Sequence, residues 1–164
     1  MYKRQGRKYV VACQSGTDAL HFALRSLDIK KGDEVMTTQF SWISTASCIS
    51  MVGATPVFCE IDALTYHMSL DSIKKMYSDK VKAIVYPHLF GYMSETKEII
   101  EFCKEKQIAF IEDAAQSLGA SLHGVKAGSI GDISTLSFNA NKVIAGIAGG
   151  GAILSLIHIS EPTR

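Results

Sequence analysis

Residues 81–89 read VKAIVYPHL, and this nearly continuous run of apolar side chains decides the fold class. A strand with one face in water alternates apolar and polar residues, whereas a strand covered on both faces is apolar almost throughout. The stretch therefore predicts a strand that is buried on both faces within a parallel sheet. A second run, IAFIED at 108–113, predicts the next strand.

Helical and strand patterns alternate on either side of these two strands. Helices are predicted over 16–28, 42–52, 69–76 and 95–106, and further strands over 35–38, 55–61, 133–138 and 151–154. Repeated strand-helix-strand units are typical of parallel sheets with right-handed crossovers. The sequence thus predicts an α/β fold of three layers, α/β/α, with a mainly parallel sheet in the middle.

The composition of the 164-residue chain is that of an ordinary globular protein. It has 17 basic and 16 acidic residues, a formal net charge of +1 and no run of five like charges, which argues against nucleic acid as a partner. The sequence has no stretch of 18 consecutive apolar residues and no signal peptide, so we expect a cytoplasmic protein without a membrane partner. The four cysteines lie far apart, which favours reduced thiols over a disulfide or zinc framework.

The two ends of the chain do not continue the alternating pattern. Residues 1–5, MYKRQ, and residues 156–164, LIHISEPTR, resemble peptides translated from sequencing-adapter DNA. We therefore expect residues 6–155 to be the native segment and both ends to be foreign. His158 and Glu161 are accordingly left out of the predicted site.

Polar residues that follow strands are the first candidates for function, because ligands of open α/β sheets bind outside the carboxyl ends of the strands. Ser15, Gly16 and Thr17 open the first helix, where N–H groups and a hydroxyl favour an anion; the alternative is a simple N-cap. Asp113 ends a strand, where an acid can bind a cationic ring nitrogen or a metal. The alternative for Asp113 is a cap of the following helix.

Three further features lie near the predicted strand ends. Lys142 can form a Schiff base if it is desolvated, although most lysines are solvated surface charges. Three glycines at 149–151 allow close passage of the main chain or form an ordinary loop. Trp42, the only tryptophan, can stack on a ring or fill the core. An anion site, an acid, an amine and an aromatic ring are together the parts that pyridoxal 5′-phosphate needs.

Six phrases follow one another along the chain: SGTDALHFAL (15–24), GDEVMTTQFSWISTASCISMVGATPVF (32–58), PHLFG (87–91), IAFIEDAAQSLGA (108–120), GDISTLSFNANK (131–142) and GGGAIL (149–154). With these phrases the segment resembles the large-domain half of the pyridoxal-phosphate-dependent sugar aminotransferases called the DegT/DnrJ family. The resemblance implies the aspartate-aminotransferase-like fold. It covers residues 6–155 and implies a partial large cofactor-binding domain, with the C-terminal small domain missing.

The resemblance implies a role for each matching position. Lys142 matches the catalytic lysine that holds the cofactor covalently and moves protons as general base and acid. The remaining matches concern cofactor binding: Asp113 for the pyridine nitrogen, Gln116 for the phenolic oxygen, Trp42 for the ring face, and Gly16, Thr17 and Ser137 for the phosphate. No metal is implied.

The activity that the resemblance implies is ping-pong transamination. An amino acid, most often glutamate in this family, gives its amine to the cofactor, and a nucleotide-linked keto sugar takes it, for surface glycan or deoxyaminosugar biosynthesis. The family also implies a homodimer that completes the active site, so we expect the segment alone to be inactive. A lyase or desulfurase of the same fold type, and a non-catalytic regulatory protein with this fold, remain alternatives.

Three positions qualify this resemblance. Asn139 stands where many members have a histidine, and Ala148 stands where many have an acidic residue before the glycines. The SFN-x-NK form with three glycines resembles a subset that aminates keto sugars bound to uridine diphosphate. His88 lies near the expected site, and we assign it no catalytic role because a structural histidine fits equally well.

Overall fold

The computed structural model describes residues 5–156, so that the predicted foreign ends lie outside the described residues except for residues 5 and 156. Within this range the chain forms nine strands and four helices. The strands are β1 (Tyr9–Cys13), β2 (Glu34–Thr38), β3 (Thr55–Cys59), β4 (Val81–Pro87), β5 (Ala109–Asp113), β6 (Ser121–Leu122), β7 (Val125–Lys126), β8 (Ile133–Ser137) and β9 (Gly151–Ser155). The helices are α1 (Gly16–Ser26), α2 (Ser44–Met51), α3 (Leu70–Met76) and α4 (Lys97–Lys106).

Seven strands form one sheet in the order β1-β9-β8-β5-β4-β2-β3. The pairs β2·β3, β2·β4, β4·β5 and β5·β8 are parallel, whereas β9 runs antiparallel to both β1 and β8. The strands β6 and β7 form a separate two-stranded hairpin. The sheet is therefore mainly parallel, as the sequence predicts.

Helices cover both faces of the large sheet. Helices α1 and α2 pack on one face together with Val85 of β4, and α3 and α4 pack on the other together with Ile84 and Tyr86. Successive side chains of a strand point to opposite faces, so β4 is buried on both sides, as the apolar run at 81–89 predicts. The three-layer α/β/α architecture is confirmed.

Most predicted elements are present, with shifted ends. The helix predicted over 42–52 begins only at Ser44, because the N–H groups of Thr45 and Ala46 bond to the carbonyls of Trp42 and Ile43 in the turn that leads into it. The helix at 69–76 has Ser69 as its N-cap, as predicted, and the Ser72 N–H donates to its hydroxyl at 3.2 Å.

Three features of the sheet were not predicted. The strand β1, the β6–β7 hairpin and the antiparallel direction of β9 are absent from the sequence prediction. The pairing of Tyr9 with Ser155 joins the two ends of the described chain, and a local sequence pattern carries no information about so distant a partner. No helix in residues 5–156 is long and apolar enough to cross a membrane.

Candidate functional site

A cavity of about 250 Å³ lies beside the first turn of α1 and the carboxyl ends of β5 and β8. Its wall contains all seven residues that the sequence analysis predicts for catalysis or cofactor binding: Gly16, Thr17, Trp42, Asp113, Gln116, Ser137 and Lys142. The fold brings these residues together because parallel strands present their carboxyl ends at one edge of the sheet. Their proximity is a structural fact, and their individual roles stay predictions.

The first turn of α1 forms one wall of the cavity. Ser15 is the N-cap, and its hydroxyl accepts the Asp18 N–H at 3.0 Å, so the capping interpretation of this residue is correct. Thr17 nevertheless faces the cavity, and its hydroxyl lies 2.7 Å from the hydroxyl of Ser44 at the start of α2. Main-chain N–H groups and hydroxyls at the positive end of a helix make this wall suited to an anion.

Two glycines permit the close approach of α1 to β8 and β9. A Cβ atom on Gly16 would lie 2.7 Å from the Cβ of Ser137, and one on Gly151 would overlap the carbonyl oxygen of Ser15. Any larger residue at either position would push the helix away from the strands. The first turn of α1 and Ser137 are therefore neighbours only because positions 16 and 151 are both glycine.

Asp113 is almost fully buried and weakly partnered. Its carboxylate accepts the Ala115 N–H at 3.1 Å, and the hydroxyls of Thr45 and Thr135 lie 3.5 Å away. Burial raises the pKa of Asp113, and the nearby positive charge of Lys142 partly opposes this rise. The chain turns after β5 and forms no helix there, so the predicted alternative of a helix cap is wrong.

Lys142 and Trp42 form the open side of the cavity. Trp42 is 58% exposed, so the alternative that it fills the core is wrong, and it lies on the loop before α2. The Lys142 Nζ lies 5.8 Å from the centre of the Trp42 ring, a distance at which a cation and an aromatic face attract each other. Lys142 is half-buried, so its exposure lies between that of a desolvated amine and that of a solvated surface charge, the two alternatives left open by the sequence.

Gln116 contributes an amide whose orientation is determined by a main-chain donor. Its Oε1 accepts the N–H of Phe90 at 3.2 Å. Phe90 belongs to the loop that follows β4, and both residues line a second cavity that adjoins the first. The loop after β4 thus contributes to the site through its main chain.

Three hydroxyl residues of the site were not predicted from the sequence: Ser44, Thr45 and Thr135. Hydroxyls in the first turn of the helix after β2 were a usable signal for Ser44 and Thr45, because this turn lies at the same sheet edge as α1. Thr135 lies within β8 and reaches Asp113 by its register opposite that residue, which the sequence does not reveal.

His88 lies behind the site. Its side chain is fully buried, with Nε2 at ion-pair distance, 3.2 Å, from Glu112 Oε1. His88 is not among the residues that line the cavity, and the absence of a catalytic role for it stays a prediction. No group of three or more His, Cys, Asp or Glu side chains that could hold a metal occurs among residues 5–156.

The donor set defines a class of ligand. The α1 wall suits a phosphate, the buried and weakly partnered Asp113 suits a cationic ring nitrogen, and Lys142 adds an amine to the cavity wall, the group that a carbonyl compound would need for covalent attachment. The residues present therefore fit a phosphorylated, cationic aromatic cofactor. An α/β protein with this site belongs to the class that holds pyridoxal-type cofactors.

Comparison with known proteins gives the family. The sequence profile of the DegT/DnrJ/EryC1/StrS aminotransferase family matches residues 2–156. The chain belongs to this family. The resemblance in the six sequence phrases is thereby confirmed.

Curated relatives include sugar aminotransferases. The chain is 37% identical over 145 residues to a GDP-perosamine synthase of Caulobacter vibrioides, covering 88% of the chain and 39% of that protein. It is 39% identical over 150 residues to a UDP-N-acetyl-3-dehydro-alpha-D-glucosamine 3-aminotransferase of Acidithiobacillus ferrooxidans, covering 92% and 41%. It is also 36% identical over 148 residues to a protein of Geobacillus stearothermophilus named as a pleiotropic regulatory protein, covering 90% and 40%. The chain thus spans about two fifths of the length of these relatives.

Solved structures share the fold. An aminotransferase from Psychrobacter cryohalolentis superposes with a TM-score of 0.92 at 36% identity, covering 95% of this chain and 40% of that one. The crystal structure of NtdA from Bacillus subtilis with bound cofactor PMP superposes with a TM-score of 0.88 at 30% identity, covering 96% and 35%. The aspartate-aminotransferase-like architecture that the resemblance implies is confirmed.

Proposed function

We propose that the cavity binds pyridoxal 5′-phosphate and that the whole protein is an aminotransferase. The observation that carries this proposal is the convergence of Lys142, Asp113 and the first turn of α1 on one cavity. Each of these features has an ordinary structural explanation when it occurs alone. A lysine, a buried acid and an anion wall around one cavity supply three different functional groups that this cofactor requires.

The residues of the chain have distinct tasks in this proposal. The N–H groups and hydroxyls of Gly16, Thr17 and Ser137 bind the phosphate. The Asp113 carboxylate stabilises the protonated ring nitrogen, and the Trp42 ring covers one face of the cofactor. The Lys142 Nζ would hold the cofactor covalently and, once the amino donor has displaced it, would accept and return a proton as general base and acid.

The reaction that we propose is amino transfer to a sugar. When bound, pyridoxal 5′-phosphate would supply an aldehyde that accepts an amino group, becoming an amine that later gives it up, and a cationic ring that takes up electron density. The amino donor is an amino acid, glutamate in our proposal, and the acceptor is a nucleotide-linked keto sugar. The names of the Caulobacter and Acidithiobacillus relatives support this substrate class. The product belongs to the biosynthesis of surface glycans or deoxyaminosugars.

The proposal extends to the assembly and extent of the protein. Residues 6–155 form part of a large cofactor-binding domain, and the chain spans about two fifths of its relatives. Residues 1–5 and 156–164 are foreign to that domain in our proposal. The whole protein is a cytoplasmic homodimer whose second copy closes the site. The exposed aromatic side chains of Phe40, Trp42 and Phe90 near the cavity support an interface there.

The test is a comparison of two lysine variants in the full-length protein that carries this chain. With added pyridoxal 5′-phosphate, the unchanged protein should show a visible absorbance band that glutamate removes and a keto sugar nucleotide restores. Lys142→Ala should lose the band and the turnover. Lys80→Ala is the matched control, because Lys80 is exposed and precedes β4 at the opposite edge of the sheet. A Lys142→Ala protein that keeps both band and turnover would refute the proposal.

A regulatory protein that binds the cofactor without turnover is the second candidate. The name of the Geobacillus relative favours it. Lys142 in the cavity wall favours the enzyme, because turnover requires a group that can move a proton beside the cofactor and a lysine amine can do so. The same experiment separates the two: a band that glutamate does not remove, together with no turnover of a keto sugar nucleotide, supports the regulatory protein.

A further inference from the structure

The loop that follows β4 is held by bonds on several sides. The His88 N–H donates to the Asp113 carbonyl at 3.0 Å, while the His88 side chain is buried beside Glu112. The Leu89 N–H donates to Nε2 of His67 at 3.4 Å. Two consecutive residues are thus fixed before the chain reaches Phe90.

His67 has a defined tautomer. Its Nδ1 lies 2.8 Å from the carbonyl oxygen of Thr65, so Nδ1 carries the proton and Nε2 is left as the acceptor for Leu89. Burial lowers the pKa of His67, which keeps the ring neutral and Nε2 able to accept. The contact that holds the loop is therefore maintained at neutral pH.

Phe90 adopts a backbone conformation that is rare for a bulky residue. Its φ is +53°, in the left-handed region, and Gly91 follows with φ +78°. A strained conformation persists where the surrounding contacts require it. In this conformation the Phe90 N–H reaches Gln116 Oε1 at 3.2 Å, while the aromatic side chain is 77% exposed. Phe90 therefore reaches Gln116 through its main chain, while its ring lies edge-on to that of Phe40 with the centroids 6.2 Å apart.

We propose that Phe90 is a positioning residue whose main-chain N–H holds Gln116 Oε1, so that the amide nitrogen of Gln116 is the group offered to the phenolic oxygen of the cofactor. This inference rests on the proposed function. An N–H donor fixes the amide orientation, because the reversed amide would set its NH₂ against the Phe90 N–H. Among residues 5–156 no acceptor is found for the Gln116 nitrogen, which leaves its protons for a ligand.

The chemical consequence concerns the charge of the phenolic oxygen. An N–H donated to this oxygen stabilises its deprotonated form. If the Phe90 contact were absent, the Gln116 amide could rotate and present its oxygen, which repels a phenolate. The Phe90 N–H therefore lowers the pH at which the bound cofactor changes its absorbance.

The first experiment removes one N–H group. Replacing Phe90 by its α-hydroxy acid in the full-length protein exchanges the amide for an ester and keeps the side chain. The quantity to measure is the pH at which the absorbance change of the cofactor-loaded protein is half complete, its midpoint. We expect this midpoint to rise by about one pH unit. The matched control is the same exchange at Leu64, whose N–H donates to the Asp62 side chain at 3.0 Å in an exposed turn. An unchanged midpoint with the Phe90 ester would overturn the inference.

A second pair of measurements decides the question if the ester protein does not fold. Gln116→Glu still accepts the Phe90 N–H and offers no donor, so the midpoint should again rise; an unchanged midpoint contradicts us. In the cofactor-free protein, Gln116→Ala should accelerate hydrogen exchange at the Phe90 amide at least tenfold, whereas Gln107→Ala should not. Equal exchange in both variants would also overturn the inference.

If unchanged protein binds no cofactor, the proposed function fails; if it binds and only the midpoints stay constant, this inference alone fails.

Discussion

Glu112 and Asp113 are neighbours on β5 whose side chains lie on opposite faces of the sheet. Both are buried, with 0% and 7% of their surface exposed. Glu112 has a full set of partners: its oxygens accept three main-chain N–H groups of residues 128–131 at 2.6 to 3.3 Å and the Ser134 hydroxyl at 2.7 Å. Asp113 has one N–H at 3.1 Å and two hydroxyls at 3.5 Å.

The pKa values of the two acids move in opposite directions. Burial alone would raise the pKa of Glu112, but the adjacent His88 and the N–H and hydroxyl donors outweigh burial and lower it. Burial dominates at Asp113 and raises its pKa. Equal burial therefore does not identify a functional acid. The difference lies in the partners: Glu112 accepts four hydrogen bonds from the protein, whereas Asp113 accepts one N–H and has two hydroxyls at 3.5 Å, which fits the cationic ligand that we propose for it.

The largest effect on stability should come from removing Glu112, the acid that accepts four hydrogen bonds from the protein. Glu112→Leu leaves four donors and His88 without an acceptor in the interior, and we expect it to lower the free energy of unfolding by about 3–5 kcal/mol. Urea unfolding of the cofactor-free protein, followed by circular dichroism, measures this change. Glu105→Leu is the control, because Glu105 is exposed on α4 and should have no measurable effect. A Glu112→Leu protein as stable as the control would break the comparison.

The matching change at Asp113 should reduce binding and spare stability. Asp113→Asn removes the charge that the ring nitrogen requires, and we expect the Kd for pyridoxal 5′-phosphate to rise about 100-fold, or about 2.7 kcal/mol. Absorbance titration measures the Kd, and urea unfolding should show no loss of stability. Asp71→Asn, in the exposed first turn of α3, is the control. Loss of stability without loss of affinity would mean that Asp113 has a structural role.

The same pair of acids marks how far the sequence could predict the site. The strand IAFIED and its position at the carboxyl edge were predictable, because an apolar run followed by acids is a local pattern. The separate tasks of Glu112 and Asp113 were not predictable from the residues. Their partners come from residues 128–137 and from α2, which only the folded chain brings to β5.

The fold shows the same limit. The three layers followed from local periodicities, and Ser69 was predictable as a cap because its partner is three residues away. The strand β1 and the direction of β9 depend on pairing between residues 9–13 and 151–155. The Phe90 contact with Gln116 depends on a left-handed φ at a phenylalanine, a conformation that no residue pattern indicates.

The pH dependence of stability is a third property in which Glu112 and Asp113 should differ. The folded state holds the Asp113 proton more tightly than the unfolded chain, whose ordinary value is 3.8, so the Asp113 contribution to stability falls as pH rises above 3.8. The pKa of Glu112 is lowered from 4.5, so its contribution is complete above 4.5 and is lost as pH falls.

Unfolding of the cofactor-free protein between pH 3 and pH 7 measures both slopes. Asp113→Asn should gain stability over the unchanged protein as pH rises through the acid range, because only the unchanged protein must ionise a buried carboxyl. Glu112→Gln should no longer show the part of the stability loss at falling pH that comes from protonation of Glu112. A constant difference between Asp113→Asn and the unchanged protein at every pH would contradict the raised pKa of Asp113.

The smallest effects should come from the two residues of β8 that face these acids. Ser134 is in register with Glu112, and its hydroxyl donates to that acid at 2.7 Å and accepts from Arg7 at 3.0 Å. Thr135 is in register with Asp113 and makes only the 3.5 Å contact. Ser134→Ala therefore removes two well-formed hydrogen bonds, and we expect it to lower the free energy of unfolding by about 2 kcal/mol.

Thr135→Val removes a long contact and keeps the side-chain volume, so we expect a change in unfolding free energy below about 1 kcal/mol. The hydroxyl of Thr135 lowers the pKa of Asp113, and its loss should move the acid-range slope of stability to higher pH. Urea unfolding across the acid range measures both quantities for the two variants. If Thr135→Val costs as much stability as Ser134→Ala, the Asp113 face is as fully hydrogen-bonded as the Glu112 face, and the distinction between a structural and a ligand-binding acid on β5 is lost.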